Sequence, residues 1–518
     1  MIKRIELALS PEEALYDNKI NSVLEKELKI GSKDSFEVIK LKRSIDARSR
    51  FPFINLLVDV YINETPPPEP VIKNNYKFTD GKKKVLIVGA GPAGYFAALE
   101  LIEYGIKPVI FERGKNVQDR RRDLRQIQQF SKVNPDSNYC FGEGGAGTYS
   151  DGKLYTRSHK RGDIYKALRI LVEHGAKSDI LIDAHPHIGS NKLPLVVQNI
   201  RETILHYGGE INFDSKVTDL IVINNKITGV IVNDAEEFSG DAVILSTGHS
   251  ARDIFYLLSN KNIRTESKPF AIGVRIEHPQ VLIDEIQYKQ NPRDENLPAS
   301  SYKLTSQVDG KGVFSFCMCP GGLIVPAATS PGEIIVNGMS MSRRDSEFAN
   351  SGIVTAVENE DLKDYEQHEE FSGLEFQKDV EKKFFEAGDG SQKAPAQRMT
   401  DFVKGKISTG LGKTSYIPGV YSSMIAELLP NTISSRIMNA LIHFEKKMKG
   451  YFTDEGYLIG LESRTSSPVR IPRDKISREH LQIENLYPCG EGAGYAGGII
   501  SAALDGQNTA SAICKKLK

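Results

Sequence analysis

The stretch from Lys84 to Glu112 constrains this chain more than any other part of it. An apolar β-branched run, Lys84-Val85-Leu86-Ile87-Val88, leads into Gly89-Ala90-Gly91-Pro92-Ala93-Gly94 and an Ala/Leu-rich helical pattern that stops at Gly105. A second apolar run, Pro108-Val109-Ile110-Phe111, ends in Glu112 and Arg113. Strand, G-x-G-x-x-G, helix, strand and acid in that order form a complete βαβ dinucleotide-binding fingerprint. Gly89 permits the tight turn, Gly91 lets the backbone approach a pyrophosphate, and Gly94 lets helix and strand pack closely. Pro92 suits a first helical turn, and Ala93 follows it on the positive helix end, where phosphates sit. Glu112, eighteen residues beyond Gly94, is placed to accept hydrogen bonds from both ribose hydroxyls, and its charge argues against a 2′-phosphate there. The fingerprint alone does not separate NAD from FAD.

With 518 residues the chain is long enough for two or three domains. Its 67 basic and 67 acidic residues cancel, so global charge gives no reason for a nucleic-acid or anionic-membrane partner. Five cysteines, an odd and sparse set, do not resemble a disulfide framework and fit a reducing cytosol. No run of eighteen apolar residues occurs, and the charged first residues lack a signal-peptide core, so a cytoplasmic protein without a membrane span is expected.

Residues 1–70 read as a separate β-α-β-β domain: strand Ile2–Leu9, helix from Pro11 to about Leu28, strands Phe36–Arg43 and Ile54–Ile62, then the stiff linker Thr65–Pro70. Lys40, Lys42, Arg43, Arg48 and Arg50 crowd this unit and could contact nucleic acid, but no aromatic stacking set interleaves with them, which favours a solvated face. A nucleotide-binding domain is expected over 82–264 and 441–518, with an inserted mixed sheet and helix substrate domain over 265–440. After Glu112 the helix Gln118 to about Phe130 presents Arg120-Arg121-Arg122, which reads as an exposed face. From Phe141 to Leu154 glycines are too dense for a helix or strand, so this backbone is expected to wrap a flat ring system closely. Asn224-Asn225 reads as a hairpin turn, and a buried strand ends in Ser246-Thr247-Gly248-His249. Thr409–Ser415 imitates a P-loop, but Ile407 stands where the first glycine belongs.

The tail points to FAD. Asn485–Glu491 reads as a short strand ending in Gly490-Glu491, followed by Gly497-Gly498 and an apolar-faced helix from Ile499. A dinucleotide with a ribityl chain needs an acceptor for its hydroxyls and a positive helix end near the ring's pyrimidine side, and these residues supply both.

Gly89–Glu112, Ser246–Gly248 and Tyr487–Ile500 together resemble the glutathione-reductase-type FAD-binding superfamily. Gly142–Thr148, Phe270–Pro279, Phe316–Gly322, Arg464–Arg470 and Gly490–Gly498 look like a bacterial family of uncharacterised FAD-dependent dehydrogenases, a likeness that extends to the N-terminal unit. The resemblance implies non-covalent FAD. It would place Gly89, Gly91 and Gly94 on the pyrophosphate and Glu112 on the adenosine ribose. Gly145 to Lys153, including Thr148 and Asp151, would lie along the isoalloxazine, Thr247 and Gly248 near the adenine side, and Glu491 on the ribityl or pyrophosphate. No histidine precedes His159 in the region where some superfamily members tether flavin.

Catalytic candidates are few. Cys317 and Cys319 invite a redox reading, yet in an extended strand residues i and i+2 lie about 6.5–7 Å apart at Cα, at or past the disulfide limit. With no second Cys/His pair, no metal site is expected. His249 stands beside the expected flavin as a candidate acid or base; Arg275, Arg464 and Arg470 fit an acidic substrate or an interface ion pair equally. The expected function is an FAD-dependent oxidoreductase acting on a small molecule. With no second fingerprint, NAD(P)H would react only transiently, and an electron-carrier protein is the other possible partner. The alternatives are a flavoprotein acting on RNA through its N-terminal domain and a flavin-holding interaction protein without turnover.

Overall fold

The computed structural model describes residues 1–31, 33–156 and 162–518, so His159 lies outside the described residues. The runs flanking the glycine turn sit inside a five-stranded parallel sheet in the order Leu486–Pro488, Ala242–Leu245, Lys84–Val88, Lys107–Phe111, Glu210–Asn212. Such a sheet is covered on both faces, which is why its strands read as continuous apolar runs. Val85 and Ile87 face the core beneath helices Pro92–Glu103 and Ile499–Leu517, whereas Leu86 and Val88 face a second core beneath the antiparallel strands Val217–Ile223, Lys226–Val232 and Glu236–Ser239. The hairpin between the first two of these turns at Asn224 and Asn225, both at positive φ (50° and 59°).

A seven-stranded mixed sheet follows, in the order Thr305–Val308, Lys311–Cys319, Phe348–Val357, Phe270–Pro279, Tyr457–Glu462, Ala394–Arg398, Val420–Ser422. It takes in Tyr457–Glu462, so the chain returns to the parallel sheet only after Glu462, not at 441. The reason is burial: Leu441, Phe444, Tyr451, Leu458 and Ile459 all pack into this second sheet's core. The stretch Thr409–Ser415, rejected as a P-loop, is irregular, its Ser415 amide donating to Glu277 at 2.9 Å.

The first residues form the antiparallel sheet Ile2–Leu9, Phe53–Ile62, Phe36–Asp46 with helix Asp17–Leu28 on one face. A 3-10 turn at Glu13–Leu15 precedes that helix, which begins at Asp17 and not at Pro11. Lys40 pairs with Asp17, Arg43 with Asp183 and Asp179, and Arg48 with Asp46, so three of the five cations are matched by carboxylates. The whole is an α/β fold: a Rossmann-like parallel sheet, a second mixed sheet and a small N-terminal β-α-β-β unit. Among the described residues no helix is long and apolar enough to cross a membrane.

Candidate functional site

The strand Lys84–Val88 ends at Gly89, whose φ of +105° only glycine adopts easily. A Cβ on Gly94 would stand 2.1 Å from the Gly89 carbonyl oxygen, so the helix is pressed onto the turn. Gly91 differs: a Cβ there would meet nothing within 4 Å. Its helix, with Pro92 in the first turn, has no side-chain cap, which leaves a positive end facing open space beside Gly91.

Glu112 is 6% exposed, and its carboxylate accepts from the amides of Ala90 (2.9 Å), Gly114 (3.0 Å) and Gly142 (2.9 Å). It clamps three segments and keeps about one acceptor direction for a ribose. Arg113 pairs with Asp253 and stacks 4.5 Å from the Phe141 ring centroid, so its charge is spent inside the protein.

The glycine-rich loop is held by groups that sequence reasoning missed. Glu143 is fully buried and accepts from Tyr95 (2.8 Å), the Val117 amide (2.8 Å) and Arg201 (2.9 Å), while burial pushes its carboxyl up. Arg120, expected on an exposed face, is 0% exposed and donates to the carbonyls of Asn138, Tyr139, Glu143 and Gly145. The signal was present: Val117, Arg120, Leu124 and Ile127 share one helical stripe.

Held this way, the loop meets both helix starts. A Cβ on Gly145 would lie 3.4 Å from Gly91 Cα, and one on Gly147 would lie 3.0 Å from Ile499 Cγ1 and 3.7 Å from Pro92 Cγ. Thr148 does not face this opening: it is 0% exposed and its hydroxyl donates to the Glu143 carbonyl at 3.1 Å. Asp151 is likewise turned away, buried against Arg344 (2.6 Å) and the Ser340 hydroxyl. Lys153 donates to the Met318 carbonyl, tying the loop to the second sheet.

The tail closes the opposite side. The Gly490 amide donates to Asp505 at 2.8 Å, and a Cβ on Gly490 would lie 3.0 Å from that of Ala93. The Gly492 amide donates to the Thr247 carbonyl at 3.1 Å, which sets Glu491 beside Thr247 and Gly248. A Cβ on Gly248, Gly497 or Gly498 would meet nothing within 4 Å, and helix Ile499–Leu517 begins without a side-chain cap. Burial, with Cys317 nearby, pushes the Glu491 carboxyl up to about 7 against the opposing pull of Lys268. Burial among Arg464, Arg252 and Lys268 lowers His249 to about 3. Two uncapped helix starts, a glycine turn between them and open space at Gly91, Gly248, Gly497 and Gly498 fit an extended dinucleotide.

Two of the three arginines are structural. Arg275, 0% exposed, pairs with Glu462 at 2.9 Å; Arg464 pairs with Glu381 (3.1 Å) and Glu333 (2.8 Å), which Arg252 also contacts. Arg470 adjoins Lys268 around Gly494, with its buried Nε lacking a hydrogen-bond partner. Among the described residues no group of three or more His, Cys, Asp or Glu could hold a metal.

A Clostridium beijerinckii protein, described only as uncharacterized, is 39% identical over 536 residues, 99% of this chain and 98% of its own length. The chain belongs to that protein's family. Three domain families match it: an FAD-binding domain at residues 82–124, an FAD-dependent protein C-terminal domain-like family at 269–465, and a domain of unknown function at 1–61. The family is FAD-dependent, and FAD is its cofactor. Solved structures similar to this chain include a flavin-dependent brominase (12% identical, 84% of this chain and 79% of that one, TM-score 0.35). The glycine oxidase of Bacillus cereus is 13% identical over 84% of this chain and 96% of its own, with a TM-score of 0.30.

Proposed function

We propose that the protein is an FAD-dependent oxidoreductase, a dehydrogenase or reductase of a small molecule, with the cofactor laid out in the glutathione-reductase-type manner. The observation that carries this reading is the packing of Gly145 and Gly147 between the helix starts at Gly91 and Ile499. Bound without a covalent link, FAD supplies the hydride or electron transfer. Gly89, Gly91, Pro92, Ala93 and Gly94 present the amide end for the pyrophosphate, and Glu112 offers its remaining acceptor direction to the adenosine ribose. Thr247 and Gly248 would lie near the adenine side, Glu491 would accept from the ribityl chain or adjoin the pyrophosphate, and Gly497, Gly498 and Ile499 would turn a positive helix end toward the ring. Gly145 would lie against the ring, and the loop through Lys153 would exclude water from that side. Electrons are exchanged with a pyridine nucleotide that reacts transiently or with a carrier protein.

The test is an anaerobic absorbance trace of the yellow protein mixed separately with NADH and NADPH. Bleaching on the timescale of turnover supports the reading and names the donor. A colourless chain that takes up no FAD would sink it, and a flavin that neither nucleotide bleaches would shift the weight to dehydrogenation of an unknown compound or to the non-catalytic alternative.

A further inference from the structure

We infer that Cys317 and Cys319 form a dithiol–disulfide couple that exchanges with low-molecular-weight disulfides. This goes beyond the flavin reading and does not rest on it. The spacing argument against such a pair presumes extended backbone, and this segment is not extended. Phe316 pairs with Gly352 but Cys319 with Asn350, so three steps on one strand oppose two on the other, a β-bulge. Within it Cys317 has φ +44°, a region β-strand residues avoid. Bulges of this kind re-aim side chains, and here Cys319 turns back so that its Sγ lies 3.3 Å from the Cys317 carbonyl oxygen.

The bulge is built from outside. Arg275, oriented by Glu462 at 2.9 Å, donates to the Cys317 carbonyl at 3.1 Å, and Lys153 donates to that of Met318. Two cations thus stand at the Cys317–Met318 backbone, where Cys317 is half-buried and Cys319 is 0% exposed. A hydrogen bond between the two thiols, aided by Lys153 and Arg275 against burial and Asp151, holds Cys317 well below the ordinary thiol range, while that hydrogen bond and burial hold Cys319 above it. Accessible nucleophile and buried resolving thiol are the division of labour that exchange requires.

The Cys317 thiolate attacks one sulfur of RSSR, forming a Cys317–SR bond and expelling RS⁻. Cys319 then loses its proton to solvent and attacks the Cys317 sulfur, expelling the second RS⁻. Each RS⁻ takes up one proton: two cysteine thiols are oxidised and RSSR is reduced to two RSH.

The experiment treats the full-length protein with oxidised glutathione, quenches in acid, alkylates with N-ethylmaleimide and maps the peptides by mass. The expected result is loss of both labels from residues 317 and 319, a peptide lighter by two hydrogens, and full recovery with dithiothreitol. Cys319→Ser should stop with one glutathionyl group on Cys317, and Cys317→Ser should leave Cys319 unmodified. Unchanged labelling of the wild-type chain, or a wild type that stops at the mixed disulfide, overturns the proposal. Modification of Cys319 in Cys317→Ser overturns the assignment of the nucleophile.

Discussion

Arg120 donates to the carbonyl oxygen of Gly145 across 2.9 Å, from the buried stripe of one helix to the turn lying between two helix starts. A guanidinium can serve several carbonyls at once because its donors are fixed in a planar fork. The loop's shape is therefore set by a residue that touches no open space.

Replacing Arg120 by Ala leaves the carbonyls of Asn138, Tyr139, Glu143 and Gly145 without that donor. The expected cost is about 3 kcal/mol in stability, with FAD binding weakened at least about tenfold. Urea midpoints and a flavin-fluorescence titration measure both, and Arg120→Lys, lacking the fork, should recover little of either.

Gly91 and Gly94 separate ligand space from packing space. Gly91→Ala adds a methyl where nothing lies within 4 Å, so FAD-free stability should stay within about 0.5 kcal/mol while FAD affinity falls about tenfold or more. Gly94→Ala forces a Cβ to 2.1 Å from the Gly89 carbonyl, and the fold itself should lose about 2–3 kcal/mol. Equal effects of the two on the FAD-free protein would contradict the assignment.

Glu491 gives a pH signature. In the folded chain its carboxyl titrates at about 7, against roughly 4.3 when unfolded. The native state holds the extra proton between those values, so this residue's contribution makes stability fall as pH rises through that window. Glu491→Gln, measured without FAD, should remove that fall and exceed the wild type by about 1–2 kcal/mol at pH 8. Parallel stability curves for the two proteins between about pH 5 and 8 would refute it.

His249, lowered to about 3 by burial among cations, should stay neutral throughout the physiological range. Its ring resonances in NMR are expected to show no titration between about pH 5 and 8, unlike an ordinary imidazole. A midpoint near neutrality would show that the imidazole is solvated.

Much of the site was legible locally. Gly89, Gly94, Gly490 and Gly498 announce themselves because a positive φ or a close approach leaves no other residue type, whereas Gly91 and Gly497 were legible only from their place in the motifs. Glu112 was legible as an acid at the right offset, but not as a clamp on the Gly114 and Gly142 amides. Arg120 was misplaced because a charged triplet hides one member on an apolar stripe. Thr148, Asp151 and Arg113 sit in the right segment yet turn to protein partners, a choice of rotamer and neighbour that spacing does not encode.

By itself the sequence determined the βαβ turn, the apolar strands of the parallel sheet and the N-terminal β-α-β-β unit, because backbone sterics and burial periodicity act within a few residues. Only the tertiary structure decided that residues 457–462 join the second sheet, that Arg275 and Arg464 neutralise buried acids, and that a bulge turns Cys319 back over Cys317. Those outcomes depend on groups far apart in the chain, where the cost of leaving a buried charge or carbonyl unpaired selects the partner.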